Sequence, residues 1–88
     1  MTYSVEWTAS AQRALARLPE KVALVVVELV YGPLVENPQR LGHPLRYELE
    51  GRHTVRRGDY RVVYRIDEAR HSVTIEAVAH RSDVYRRP

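Results

Sequence analysis

From Arg52 to Ile66 the chain reads RHTVRRGDYRVVYRI, with apolar and polar positions alternating on both sides of Gly58-Asp59. Alternation with a period of two is the mark of a strand that buries one face. A Gly-Asp pair between two such runs predicts a two-residue hairpin, because Gly at the first central position supplies the positive φ of a type I′ or II′ turn. That turn also sets the register. Arg57 pairs with Tyr60, Arg56 with Arg61, Val55 with Val62, Thr54 with Val63, His53 with Tyr64 and Arg52 with Arg65. One face then carries His53, Val55, Tyr60, Val62, Tyr64 and Ile66 and is the core face. The other carries Arg52, Thr54, Arg56, Arg61, Val63 and Arg65.

The rest of the chain supplies layers for this ribbon. Tyr3-Ser4-Val5-Glu6-Trp7 alternates and predicts a short first strand with Tyr3, Val5 and Trp7 inward. Thr8 or Ser10 can cap the next helix, whose Ala11, Leu15 and Leu18 recur at helical spacing up to Pro19. Pro19 and Glu20 suit the start of a second helix, and Val22, Val25, Val26, Leu29 and Val30 fit one helical stripe. Gly32-Pro33 ends or kinks it near Tyr31, with one further turn to Asn37-Pro38. Gln39 to Pro44 reads as loop, and Leu45 to Leu49 as a short strand. After the ribbon and a turn at Asp67 to Arg70, Ser72 to Ala79 alternates again. Val73, Ile75, Ala77 and Ala79 fall on one face, with Thr74, Glu76 and Val78 on the other. His80 to Pro88 is a polar, arginine-rich tail. The expected fold is α+β: an N-terminal strand, a helical hairpin, then a mostly antiparallel sheet of three to four strands with the helices on one face.

Composition narrows the chemistry. At 88 residues the chain is expected to form one domain over 1–88, with room for a single core. There is no cysteine, which excludes disulfides and thiolate metal sites. No secretory leader is visible, and Val22 to Val27 falls far short of the roughly 20 apolar residues that span a bilayer, so a cytoplasmic protein with no membrane contact is expected. The net charge of +3 is unevenly spread: −1 through Pro38 (three basic, four acidic residues) and +4 from Gln39 onward (eleven Arg, seven acids). All but one of the fourteen basic residues are Arg, the side chain suited to bidentate phosphate recognition. That concentration points to nucleic acid or an acidic protein partner.

The ribbon's polar face concentrates it further. Like charges directly opposite on a sheet cost roughly 0.2–1 kcal/mol per pair, yet Arg56 faces Arg61 and Arg52 faces Arg65. An anion seated over the ribbon accounts for the arrangement. A solvated strand face in an arginine-rich chain is the plainer alternative.

These residues resemble a known family. The order strand, helical hairpin, loop with Asn-Pro and LGHPL, then GDYRVVY and a terminal HRSDVYRR, is similar to the RelE/ParE toxin superfamily, and specifically to RelE-type mRNA interferases. The resemblance covers essentially the whole chain and is sharpest over Gly58 to Tyr64 and His80 to Arg87. It implies the toxin of a type II toxin–antitoxin module, cleaving mRNA in the ribosomal A site and held in a hetero-oligomer by a RelB-like antitoxin. By resemblance Arg61 contacts the scissile phosphate, Arg81 stabilises charge or protonates the leaving oxygen, Tyr85 stacks on or orients the nucleotide, and Arg56 is one of two commonly basic ribbon positions. Thr54 stands at the other, a departure from the family pattern.

The expected catalytic set is therefore Arg56, Arg61, Arg81 and Tyr85. Arg52, Arg57, Arg65, His80, Arg86 and Arg87 are the wider RNA contacts, and no metal or cofactor is expected. Attack by the substrate's own 2′-OH needs a proton acceptor, and Arg is a poor base. His80, a Tyr85 of lowered pKa, or the ribosome itself are the alternatives, and the departure at Thr54 leaves Arg56 alone, or Arg57 or His53 leaning in, to compensate. Tyr60, Tyr64 and Trp7 read as core or rim aromatics. The alternatives are a ParE-like inhibitor of DNA gyrase and a catalytically weak basic RNA-binding module. The first would share the fold, but its relatives generally lack the cluster corresponding to Arg61, Arg81 and Tyr85 together.

Overall fold

The computed structural model describes residues 2–45 and 51–80. Strand β1 (Ser4–Trp7) is followed by helices α1 (Ala9–Arg17), α2 (Glu20–Leu29) and α3 (Pro38–Leu41), and then by β2 (His43–Pro44), β3 (Arg52–Arg57), β4 (Tyr60–Asp67) and β5 (Ser72–His80). The strands form one sheet in the order β1-β5-β4-β3-β2. β1 runs parallel to β5, and the other neighbours are antiparallel. The fold class is the expected one: an N-terminal strand, helices and then four further strands, with the N-terminal strand joining them in one mixed sheet of five.

Local chemistry explains the elements. Thr8 caps α1, its Oγ1 accepting from the Ala11 N–H at 3.0 Å. α2 does not stop at Gly32-Pro33 but widens into a π-helical turn over Val30–Leu34. Pro33 has no N–H to donate and its ring clashes with the preceding turn, and a locally wider helix accommodates both. The QRLGHP stretch expected as loop holds the end of α3 and the whole of β2. Pro38 sits in the first turn of α3, where a missing N–H costs nothing. The strand expected over Leu45 to Leu49 lies outside the described residues from 46 onward; Leu45 itself donates its N–H to the Arg52 carbonyl at 2.8 Å.

The hairpin pairs as the alternation requires, from Arg57 with Tyr60 down to Arg52 with Arg65. Gly58 has φ +62°, while Asp59 is not among the described residues of positive φ, which is the type II′ pattern. Val55, Val62 and Tyr64 are buried against Ala11, Val26, Leu29, Val30 and Leu34 from the helices, and His53, Tyr60 and Ile66 are half-buried. Each fully buried aliphatic side chain contributes about 1.5–3 kcal/mol. Val25, expected in the helical stripe, is instead exposed beside Leu24.

β5 departs from simple alternation. Val63 pairs with Ala77 and Tyr64 with Ile75, so Glu76 is an extra residue in a β-bulge. An inserted residue reverses which face the following side chains occupy. Val78 is consequently buried with Val73 and Ile75, whereas Ala77 and Ala79, expected on the same face as Val73 and Ile75, pair with Val63 and Arg61 on the far side.

Tyr64 ties the small β2 edge to the sheet. Its side chain is fully buried and its hydroxyl donates to the Pro38 carbonyl at 2.6 Å. Gly42 passes so close that a Cβ there would lie 2.5 Å from both the Thr54 carbonyl oxygen and Tyr64 Oη. Gly42→Ala is therefore expected to destabilise the fold by about 1–3 kcal/mol, the usual cost of overpacking, read as a lower urea midpoint; an unchanged midpoint would refute the close approach.

Candidate nucleic-acid interface

The helices cover one face of the sheet, and the opposite face carries Arg52, Arg56, Arg61 and Arg65 of the hairpin. Arg56 and Arg61 stand directly opposite each other on β3 and β4. Together with Leu41, His43, Thr54 and Val55 they line a groove of about 480 Å³. β2 brings the imidazole there, because His43 pairs with Thr54 in the antiparallel β2–β3 register. Partners in register project to the same side of a sheet, so His43 stands beside the position where the family resemblance leads one to expect a basic residue. Sequence reasoning missed His43. The period-two signal is too weak in a two-residue strand, and its neighbour Thr54 becomes visible only once β2 and β3 are paired.

The other expected residues divide. Arg52 and Arg65 lie on the same face as Arg56 and Arg61, but both bond to the Glu76 carboxylate: Arg52 Nε to Oε1, and Arg65 Nε to Oε2 at 3.3 Å. Arg57 lines a different groove, with Lys21, Val22, Val25 and the Gly58-Asp59 turn. His80 does not come to the arginine face. It pairs with Tyr60, meets that ring edge-on at 5.2 Å, and lines a groove with Ala14, Arg17 and Leu18 of the helical layer. The bulge at Glu76 is the cause, since it reverses the sidedness of β5 beyond it. Arg81, Tyr85, Arg86 and Arg87 lie outside the described residues. Among the described residues no group of three or more His, Asp or Glu side chains is placed to hold a metal ion, and no helix is long and apolar enough to cross a membrane.

His53 does not lean toward the groove. It stacks on Tyr64 at 5.5 Å, with Nδ1 buried and without a hydrogen-bond partner among the described residues. Burial pushes its pKa below the usual histidine value. Burial likewise pushes the Tyr64 hydroxyl up to about 12, against the opposing effect of the Gly42 backbone N–H. Both groups are held in their neutral forms as parts of the support beneath β2.

A five-stranded sheet backed by a helical hairpin, with a cationic groove on its open face, is the architecture of a type II toxin. The model of the ParE toxin of the type II toxin–antitoxin system parDE matches residues 5–85. A protein described as toxin RelE from Mycobacterium tuberculosis is 60% identical over 84 residues, covering 96% of this chain and 87% of its own. Toxin RelG from the same organism is 47% identical over 87 residues, covering 99% of this chain and 100% of its own. The crystal structure of the RelBE2 toxin–antitoxin complex of that organism superposes with a TM-score of 0.88 at 44% identity, covering 92% of this chain and 100% of the matched one. The chain belongs to the RelE/ParE superfamily of type II toxins.

The buried His53 generates a pH prediction. Its folded pKa lies below the unfolded value of about 6.5, so the unfolded chain takes up the proton first as pH falls. The stability that this neutral imidazole contributes is present above that value and is lost as pH falls through the folded pKa. Thermal melts of wild type and His53→Gln across this range should diverge, with wild type falling more steeply toward acid. Parallel curves would show that His53 is not the group responsible.

Proposed function

We propose that this toxin is a metal-independent endoribonuclease that cuts mRNA in the ribosomal A site, arresting translation, and is neutralised by a cognate antitoxin of the RelB type. The observation that carries the reading is the groove in which the cross-strand pair Arg56 and Arg61 lies beside His43 and Thr54. In the reaction the ribose 2′-oxygen attacks the adjacent phosphorus and the bond to the 5′-oxygen breaks. The products are a 2′,3′-cyclic phosphate and a 5′-hydroxyl. Negative charge builds on the non-bridging oxygens, where positioned cations act most strongly. Arg61 and Arg56 take those oxygens bidentately. Arg81 serves the departing 5′-oxygen. Tyr85 stacks on a base, worth about 1–3 kcal/mol for aromatic–base contacts.

His43 takes the proton from the 2′-OH. Imidazole is the side-chain type suited to that work near neutral pH. It replaces the basic residue that the family resemblance leads one to expect at Thr54, and it does so from the next strand. His53 and Arg57, the other compensations considered, are directed into the core and toward α2. Arg57, Arg86 and Arg87 then contribute salt-sensitive contacts to phosphates of the message or the ribosome.

The antitoxin reading is supported by the solved relative, itself a toxin–antitoxin complex. A mainly apolar groove of about 430 Å³ beside α2, with Leu24, Val25 and Tyr31 exposed on the helical side, suits an amphipathic antitoxin segment. An acidic stretch of the same partner would neutralise the arginine face.

Primer extension on a translated message tests the reading. Arg61→Ala and Arg81→Ala should each cut about 10²–10³-fold more slowly with the melting transition intact. Wild-type cleavage in both would overturn it. The family model bears the ParE name, and a gyrase-directed toxin would give DNA damage and no A-site cuts. For the proton acceptor, His43→Gln should lower the cleavage rate by about 10²–10⁴, the usual contribution of general acid–base catalysis, while leaving RNA affinity within a few-fold. An unaffected rate would exclude His43.

A further inference from the structure

α3 is a single turn, and its end sets where β2 begins. The N–H groups of Arg40 and Leu41 donate to the Asn37 carbonyl at 3.2 and 3.1 Å. The next rung of such a helix joins the Gly42 N–H to the Pro38 carbonyl. The Tyr64 hydroxyl stands in that rung. It accepts from the Gly42 N–H and donates to the Pro38 carbonyl at 2.6 Å. A side chain inserted into the ladder of a helix stops it or turns it. Gly42 accordingly leaves α3 in extended backbone, with φ −107° and ψ −173°, and His43 follows directly in β2, paired with Thr54. The phenol that does this has little freedom. Its side chain is fully buried on the core face of β4, its ring stacks on His53 at 5.5 Å, and a Cβ on Gly42 would lie 2.5 Å from its oxygen.

We propose that Tyr64 is a positioning residue for the cleavage reaction. From the core face of the sheet its hydroxyl ends α3 at Leu41 and so seats His43 against Thr54 in the groove on the other face. The inference rests on the ribonuclease reading, with His43 as proton acceptor, and adds the residue that acts through it. Without the hydroxyl, the Gly42 N–H and the Pro38 carbonyl lose their partner, and both residues are buried. Unpaired buried polar groups are costly, and these two satisfy each other by closing the missing rung. α3 then gains a residue and carries His43 away from Thr54.

Tyr64→Phe keeps the ring and removes the hydroxyl. Single-turnover cleavage of a message on programmed ribosomes should slow about 10²-fold, the loss that a displacement of about 1 Å at a reacting group can cause. The toxin concentration for half-maximal rate should stay within a few-fold. In a His43→Gln background the same change should slow cleavage by no more than about twofold, because effects that pass through one group do not add. Cross-strand nuclear Overhauser contacts between His43 and Thr54 should be lost, with those of the β3–β4 hairpin kept. A Tyr64 that only braced the core would lower the melting transition and slow both backgrounds alike. That result overturns the proposal, as do wild-type cleavage in folded Tyr64→Phe and retained His43–Thr54 contacts. Should Tyr64→Phe not fold, 4-fluorophenylalanine at position 64 fills the space of the hydroxyl without its proton, and the same comparisons decide. The two readings fail differently. A wild type that leaves no A-site cuts, or a His43→Gln that cuts like wild type, removes the reaction or its acceptor and this proposal with it. A slow His43→Gln beside an unimpaired Tyr64→Phe removes the positioning role alone.

Discussion

Two residues, Gly58 and Asp59, decide which side of the sheet every side chain of the β3–β4 hairpin occupies. A two-residue turn of type II′ admits one register, and a slip by a single position would exchange the core face for the arginine face. The residues facing the helices include Val55, Val62 and fully buried Tyr64, so a slip would also expose the centre of the core. Burial and phosphate chemistry are thereby linked. The hydrophobic energy that holds Val62 and Tyr64 inward also holds Arg61 outward, opposite Arg56. Electrostatic repulsion between such a pair is small beside several buried side chains at about 1.5–3 kcal/mol each.

The second device is the bulge at Glu76, which makes β5 a strand of two halves. Toward its start Val73 and Ile75 face the helices, and beyond the bulge Val78 does. Without the inserted residue Val78 would face the open side and His80 would stand beside the arginines. With it, Ala77 pairs with Val63 and Ala79 with Arg61. One insertion also puts a carboxylate where two arginines converge. Partly exposed ion pairs of this kind contribute about 0–1 kcal/mol each.

The third support lies at the sheet's edge. β2 has only two residues, too few to hold itself in place by ladder bonds. The Tyr64 hydroxyl bonded to Pro38 and the close passage of Gly42 over Thr54 hold it from below. Burial keeps that phenol and the stacked His53 neutral, because a charge on either would have to be desolvated. An edge strand held by these contacts fixes the register of His43 against Thr54.

Much of this was legible in the chain before any coordinates. The hairpin register, the sorting of its two faces, the cap at Thr8, the helical hairpin and the α+β class all follow from local periodicity and turn chemistry, which act over a few residues and leave their pattern in the sequence. The pairing of His43 with Thr54 was not legible, because it joins a strand too short to alternate with one reached only after an intervening segment. Nor was the sidedness of Val78 and His80, since a bulge inserts a residue without any composition of its own. Nor was the bond of Arg52 and Arg65 to Glu76, which depends on where that bulge aims a carboxylate. Sequence by itself determined which residues share a strand face. Tertiary structure decided which charges meet across it, because strand order, edge pairing and one extra residue in β5 are set by packing against β1 and α1 and by no local rule.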